Sequence, residues 1–152
     1  MKKLLVILTL LALLSALAGC GADASEQAAN AVDVDLTALS TTMLYSEVSN
    51  MNQTPENYMG KTVKIRGTYN YYHDPNSGND YFNCLVSDAT ACCSAGIEFV
   101  LTDDYSFPDD YPQQDAQICV MGTFDTYMEG QNRYCTLRNA TLCEVGAAET
   151  AS

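Results

Sequence analysis

Cysteines are the residues of this 152-residue chain with the most distinctive chemistry, and there are seven of them. Cys20 stands apart near the start of the chain. The other six lie in its second half: Cys84, Cys92, Cys93, Cys119, Cys135 and Cys143. Thiols can form disulfides, hold a metal ion or pack as small apolar groups. The choice among these depends on the compartment of the protein and on the strands that carry the cysteines.

The segment before Cys20 has the layout of a secretory signal peptide. Two lysines precede an apolar run from Leu4 to Leu14, and small residues then lead into the cysteine. The run is shorter than the roughly 20 apolar residues that a bilayer-spanning helix needs. We therefore expect residues 1–19 to be a cleaved signal.

The sequence Leu17-Ala18-Gly19-Cys20 resembles the bacterial lipobox. The resemblance implies that the Cys20 sulfur carries a diacylglycerol and that cleavage falls before it. Each buried methylene adds about 0.8 kcal/mol of membrane affinity, so two chains anchor a protein stably. We expect a lipid-anchored protein on the extracytoplasmic face of a bacterial membrane, where disulfides persist. An ordinary signal peptide with a chance cysteine is the alternative.

The mature chain is strongly acidic. Removal of residues 1–19 takes away two lysines and no acidic residue, which leaves five basic and nineteen acidic residues and a net charge of −14. A nucleic-acid partner requires a basic footprint, so this class is excluded. The acidity favours solubility at a cell surface, with attraction of cations as the alternative.

The remaining sequence predicts one domain between two unstructured segments. Residues 20–34 are rich in alanine and small polar residues and predict a flexible tether, and residues 146–152 predict a frayed tail. Residues 35–145 suffice for one core. Apolar residues at helical spacing predict an amphipathic helix over 36–51, capped by Asp35, and a short helical turn over 55–59.

From Lys61 onward the apolar residues alternate with polar ones, as is typical of strands. A glycine in the first strand, Gly67, predicts a bulge or bend. The fold class is mainly β: a small five-stranded Greek-key OB-like barrel preceded by an N-terminal amphipathic helix. A loop rich in proline and aspartate, 103–114, stands where such folds usually have a helix. A sandwich-like barrel is the alternative. The strands after the first are predicted at Tyr81–Val86, Ile97–Leu101, Ile118–Phe124 and Tyr134–Leu142.

Four stretches of the domain resemble a family of lipoproteins of Gram-positive bacteria. They are Tyr58-Met59-Gly60-Lys61-Thr62-Val63, Asp88-Ala89-Thr90-Ala91-Cys92-Cys93, Gly96-Ile97-Glu98-Phe99 and Tyr134-Cys135-Thr136-Leu137. The Cys-Cys stretch also resembles one in membrane-associated proteins that accompany predicted permeases. The resemblance implies an OB-like fold and no particular activity.

Disulfides are the first interpretation of the six remaining cysteines, because their number is even in an exported domain. A hairpin about residues 129–132 places Cys119 opposite Leu142, so that a bulge brings Cys143 within bridging range. Adjacent cysteines seldom bond each other, so we expect Cys92 and Cys93 to turn to the two cysteines that remain, Cys84 and Cys135.

Two other interpretations of the cysteines stay open. A zinc site could form if the fold brought His73 to three of the thiols, although Cys-Cys lacks the usual ligand spacing. These thiols are Cys84, Cys92 and Cys93. Buried free cysteines packed as apolar residues are the third interpretation.

No motif for nucleophilic, phosphate or zinc-protease chemistry occurs in the chain. Glu98 is flanked by apolar residues, a setting that can raise a carboxyl pKa, although strand alternation more often points such a residue outward. Tyrosines on the predicted strands fill half-buried positions or form an aromatic ligand-binding face. We expect a binding module without catalysis or cofactor, for an unknown small molecule or protein. The alternative is a thiol-based zinc-handling lipoprotein associated with a transporter.

Overall fold

The computed structural model describes residues 31–143 of the chain. The predicted signal, Cys20, most of the predicted tether and the predicted tail lie outside the described residues. No helix within the described part is long and apolar enough to cross a membrane. The elements are β1 (Val34–Asp35), α1 (Thr41–Gln53), a 3-10 turn (Pro55–Asn57), β2 (Thr62–His73), β3 (Asp80–Ser87), β4 (Ser94–Leu101), β5 (Gln117–Glu129) and β6 (Asn132–Cys143).

The six strands form one sheet in the order β1-β2-β3-β4-β6-β5, and β2 also pairs with β5, so that the sheet closes into a ring. The β1–β2 and β4–β6 pairs are parallel, and the other pairs are antiparallel. The chain is therefore mainly β, as predicted. The additional strand is β1, in which Val34 pairs with Val63. Two residues are too few to show an alternating pattern in the sequence.

Ring closure depends on an exchange of partners along β2. Residues 62–68 pair with β5, and residues 68–73 pair with β3. Gly67 lies at this exchange, where the sequence predicts an interruption. A Cβ atom at this position would overlap the carbonyl oxygen of Leu85 and lie 2.7 Å from the Cys84 sulfur. The close approach of β3 to β2 therefore requires a residue without a side chain.

The first helix begins later than predicted. α1 starts at Thr41, and Ser40 caps it by accepting a hydrogen bond from the Met43 amide. The predicted cap, Asp35, lies in β1 instead. Leu36 cannot begin a helix because its amide donates to the Lys64 carbonyl oxygen at 2.8 Å. Its apolar side chain is 2 % exposed, so the periodicity that included it reflects burial in the core.

The helix and one loop cover the sheet. α1 buries Leu44, Val48 and Met51 in the core. The 3-10 turn falls within the predicted helical turn 55–59. The proline- and aspartate-rich segment forms a loop, as predicted, and its Tyr111 ring packs 4.5 Å from the Phe82 ring between centroids. The loop therefore covers part of the sheet through apolar contacts, in the place where such folds usually have a helix.

Gly67→Ala should lower the free energy of unfolding by about 1–3 kcal/mol, because the added methyl overpacks the β2–β3 contact. Urea unfolding with the disulfide intact measures the change. Gly130→Asn is the matched control, since Gly130 has φ +60° with open space around it and asparagine tolerates this conformation. A Gly67→Ala protein as stable as the control would contradict the steric argument.

Candidate functional site

A cavity of about 430 Å³ lies on the outer side of β3 and β4, and we call it the tyrosine groove. The period-two alternation of β3 creates it, because Phe82 and Cys84 pack against the core while Tyr81 and Asn83 face outward. The β2–β3 turn and the β5–β6 hairpin form its ends. Its lining residues are Tyr72, Asp74, Asn76, Tyr81, Asn83, Glu98, Tyr127, Glu129 and Tyr134.

Two stacked pairs of tyrosines stand in the groove. Tyr72 and Tyr81 are cross-strand partners with ring centroids 6.2 Å apart, and Tyr127 and Tyr134 are partners with centroids 5.6 Å apart. The outer ring of each pair, Tyr72 or Tyr134, is exposed. Antiparallel register sets these pairs directly opposite each other. Another tyrosine of the predicted strands, Tyr69, is instead buried in the core.

Each stacked pair holds one glutamate through a phenol hydroxyl. Tyr127 donates to Oε2 of Glu98 at 2.7 Å, and Tyr81 donates to Oε1 of Glu129 at 2.5 Å. Asn79 also donates to Oε1 of Glu129, at 3.5 Å. Among the described residues, no side chain donates to the second oxygen of Glu129, and the Thr136 hydroxyl, across the β4–β6 pair, is the other side-chain donor near Glu98. Both carboxylates keep lone pairs that can accept hydrogen bonds from a ligand.

The groove contains two acidic side chains that no basic side chain of the described residues neutralises. Neither Glu98 nor Glu129 has an ion pair among the described residues, and no lysine or arginine lines the groove. Burial raises the pKa of Glu98. Arg138 lines a neighbouring cavity with Glu98, but its guanidinium is paired with Asp125 at 2.5 Å. Glu98 points outward, as its alternation predicts, yet it lies half-buried between tyrosines.

Cys119 and Cys143 form a disulfide between β5 and β6, with Cα atoms 5.0 Å apart. This is the pair that the predicted hairpin favoured. The predicted register is one residue off, because Leu142 pairs with Val120 rather than with Cys119. The register shift that the argument needed lies between Met121 and Thr123.

The other four described cysteines are free. The expected pairing of Cys92 and Cys93 with Cys84 and Cys135 is absent, because Cys84 points into the core while the adjacent pair is exposed in the β3–β4 turn. Burial raises the pKa of the Cys84 thiol to about 12, so that it packs as an apolar group. Cys135 is half-buried, and its sulfur lies 3.8 Å from the Met51 carbonyl oxygen.

The predicted zinc ligands do not converge. His73 is the last residue of β2, where its Nδ1 lies 2.7 Å from Asp80. A different set meets in the β3–β4 turn, residues 88–93, which we call the thiol turn. The donor atoms of Asp88, Cys92 and Cys93 all lie within 4.8 Å of one another. Asp88 was missed, although an aspartate four residues before Cys92 in a turn is a typical acceptor for backbone amides.

No protein-family model matches the sequence, and no curated protein shows significant similarity to it. The geometry of the groove and of the thiol turn therefore carries the functional argument.

Glu98→Gln should raise the free energy of unfolding at neutral pH, because it removes a charge that burial disfavours and keeps an acceptor for Tyr127. A carboxyl with a raised pKa destabilises the folded state once ionised. The advantage should therefore shrink as pH falls through the raised pKa of Glu98. Urea unfolding at neutral and acidic pH tests this. The exposed Glu56→Gln is the control, and a Glu98→Gln protein less stable than wild type at neutral pH would contradict the argument.

Proposed function

We propose that this protein is a lipid-anchored, extracytoplasmic binding module that holds an organic cation in the tyrosine groove and performs no chemistry. The observation that carries the proposal is the pair of half-buried glutamates between two stacked tyrosine pairs, with no cationic partner in the described part of the chain. A ligand that brings the missing positive charge completes this arrangement.

Aromatic rings and carboxylates act together on such a ligand. A cation over an aromatic face gains about 0.5–1 kcal/mol at exposed sites and about 2 kcal/mol when desolvated. The carboxylates of Glu98 and Glu129 add charge-assisted hydrogen bonds. The net charge of −14 expected for the mature chain attracts cations and repels anionic ligands. A neutral oligosaccharide would use the same rings but would leave both glutamates without a counter-charge.

The position of the groove supports an OB-like fold as part of the proposal. The five long strands neighbour one another in the order β2-β3-β4-β6-β5 and back to β2. OB folds bind ligands on their second and third strands, between the first and the last hairpin loops. In this chain the corresponding elements are β3 and β4, the β2–β3 turn and the β5–β6 hairpin, which bound the groove. A resemblance of folds does not by itself indicate a function. The proposed function therefore rests on the residues of the groove.

The membrane anchor rests on the lipobox that ends at Cys20 and on the resemblance to Gram-positive lipoproteins. The disulfide between Cys119 and Cys143 supports an oxidising compartment outside the cytoplasm. In this setting the part of the predicted tether that precedes β1 would hold the groove near the membrane surface.

Cys20→Ser should move the protein from the membrane fraction of a bacterial host to the soluble exported fraction, because it removes the acceptor of the lipid. Fractionation and mass spectrometry of the N-terminal peptide test this. Cys135→Ser is the matched control and should remain in the membrane fraction with its lipid. A Cys20→Ser protein that stays in the membrane fraction would refute the anchor and leave the groove untouched.

Binding of spermidine and choline should be measurable by isothermal titration, and cellotriose should not bind. Glu98→Gln and Glu129→Gln should each weaken cation binding roughly tenfold, which corresponds to about 1.4 kcal/mol. Lowering the pH through the raised pKa of Glu98 should also weaken binding, since protonation neutralises the carboxylate.

The control for this titration is Glu56→Gln, which changes the net charge equally on an exposed site outside the groove. Tyr134→Leu, which removes one exposed ring, should weaken binding while Glu56→Gln leaves it unchanged. Binding of cellotriose that neither glutamine variant affects would contradict a cation site. If the wild-type protein converted any probe chemically and Glu98→Gln did not, the proposal that the module performs no chemistry would be wrong.

A further inference from the structure

We infer that the thiol turn is a second site, which binds a thiophilic divalent ion such as Zn²⁺ through Asp88, Cys92 and Cys93. The three donor atoms belong to one short turn and lie within 4.8 Å of one another. This ligand set differs from the one the sequence suggests, because an aspartate replaces the buried Cys84 and the distant His73.

Two of the three distances between the donor atoms match the edges of a tetrahedral zinc site. Zn–S bonds of about 2.3 Å and Zn–O bonds of about 2.0 Å place two sulfurs about 3.8 Å apart, and a sulfur and an oxygen about 3.5 Å apart. The Cys92 and Cys93 sulfurs are 3.7 Å apart, and the Cys92 sulfur is 3.4 Å from Oδ2 of Asp88. The third pair, the Cys93 sulfur and an Asp88 carboxylate oxygen, lies within 4.8 Å, so an ion can enter once the turn brings these two atoms to the same spacing.

Hydrogen bonds within the turn hold the aspartate in place. Its Oδ1 accepts from the backbone amides of Thr90 at 3.1 Å and Cys92 at 3.0 Å, which leaves Oδ2 toward the Cys92 sulfur. The Thr90 hydroxyl lies 3.1 Å from both carboxylate oxygens. Groups that orient a ligand in this way support metal affinity from outside the coordination shell.

The chemical type of the three donor groups determines which metal ion the turn prefers. Their exposure to solvent determines how readily a bound ion can exchange. Two thiolates favour soft or borderline ions over Mg²⁺ and Ca²⁺, which prefer oxygen ligands. Three protein ligands leave one tetrahedral position for water or for a ligand from another molecule. Both cysteines are exposed, so an ion bound in the turn is accessible to exchange. The turn follows the end of β3, whereas Tyr81 of the groove lies near its start, so each site can be tested without the other.

The test is a titration with Zn²⁺ and Cd²⁺ of the full chain carrying Cys20→Ser, gently reduced so that the Cys119–Cys143 disulfide persists. We expect one ion per chain and, with Cd²⁺, absorption from sulfur-to-metal charge transfer. Cys92→Ser and Cys93→Ser should each lower the affinity by more than tenfold, since loss of an outer partner alone costs at least that much.

Two further variants separate ligation from folding of the turn. Asp88→Asn keeps an oxygen for the backbone amides and should lower the affinity while the Cd²⁺–thiolate absorption remains. Cys135→Ser removes a free thiol outside the turn and should change nothing. Binding that survives Cys92→Ser and Cys93→Ser, or no binding by the reduced protein, would overturn the inference. So would a Cys92–Cys93 disulfide in protein isolated from its membrane.

Discussion

The structure depends on the contact between β2 and β3 at Gly67. There β2 leaves β5 and takes β3 as its partner, and the absence of a side chain lets the Leu85 carbonyl approach. This exchange closes the five long strands, β2 to β6, into a ring. It also brings the β2–β3 turn to the same side as the β5–β6 hairpin, and these two elements form the ends of the groove. A backbone contact in the core thus positions the candidate site.

Because successive side chains of a strand point to opposite faces of the sheet, neighbouring residues lie in different environments. On β3, Phe82 and Cys84 pack against the core, while Tyr81 and Asn83 line the groove. The same rule makes the Cys84 thiol inert, since burial opposes formation of its thiolate, and leaves the thiols of the β3–β4 turn exposed. Chemistry therefore concentrates on the outer face and in the turn, not in the core.

The features that the sequence predicts are those with a local cause. Alternation marks the five long strands, and the Glu129–Asn132 turn brings Cys119 near Cys143. The start of α1 was wrong because Leu36 is buried by pairing of its backbone with β2, a contact invisible to a helical pattern. The sequence offered an aromatic binding face and a partly apolar setting for Glu98 only as separate alternatives, since the tyrosines and glutamates of the groove come from five strands and meet only when the ring closes.

The tyrosines of the groove have a role that phenylalanine could not fill. The chain has ten tyrosines and four phenylalanines. Phe99 and Phe124 are fully buried in the core, and Tyr69 is buried there too, with no hydrogen-bond partner for its hydroxyl among the described residues. In the groove the hydroxyls of Tyr81 and Tyr127 each fix a half-buried carboxylate that has no ion pair within residues 31–143. Phenylalanine at either position would remove the phenol donor, and Glu129 would keep only the longer hydrogen bond from Asn79. The phenols therefore keep two costly charges oriented in the free protein, which is the preorganisation that a site for a cationic ligand requires.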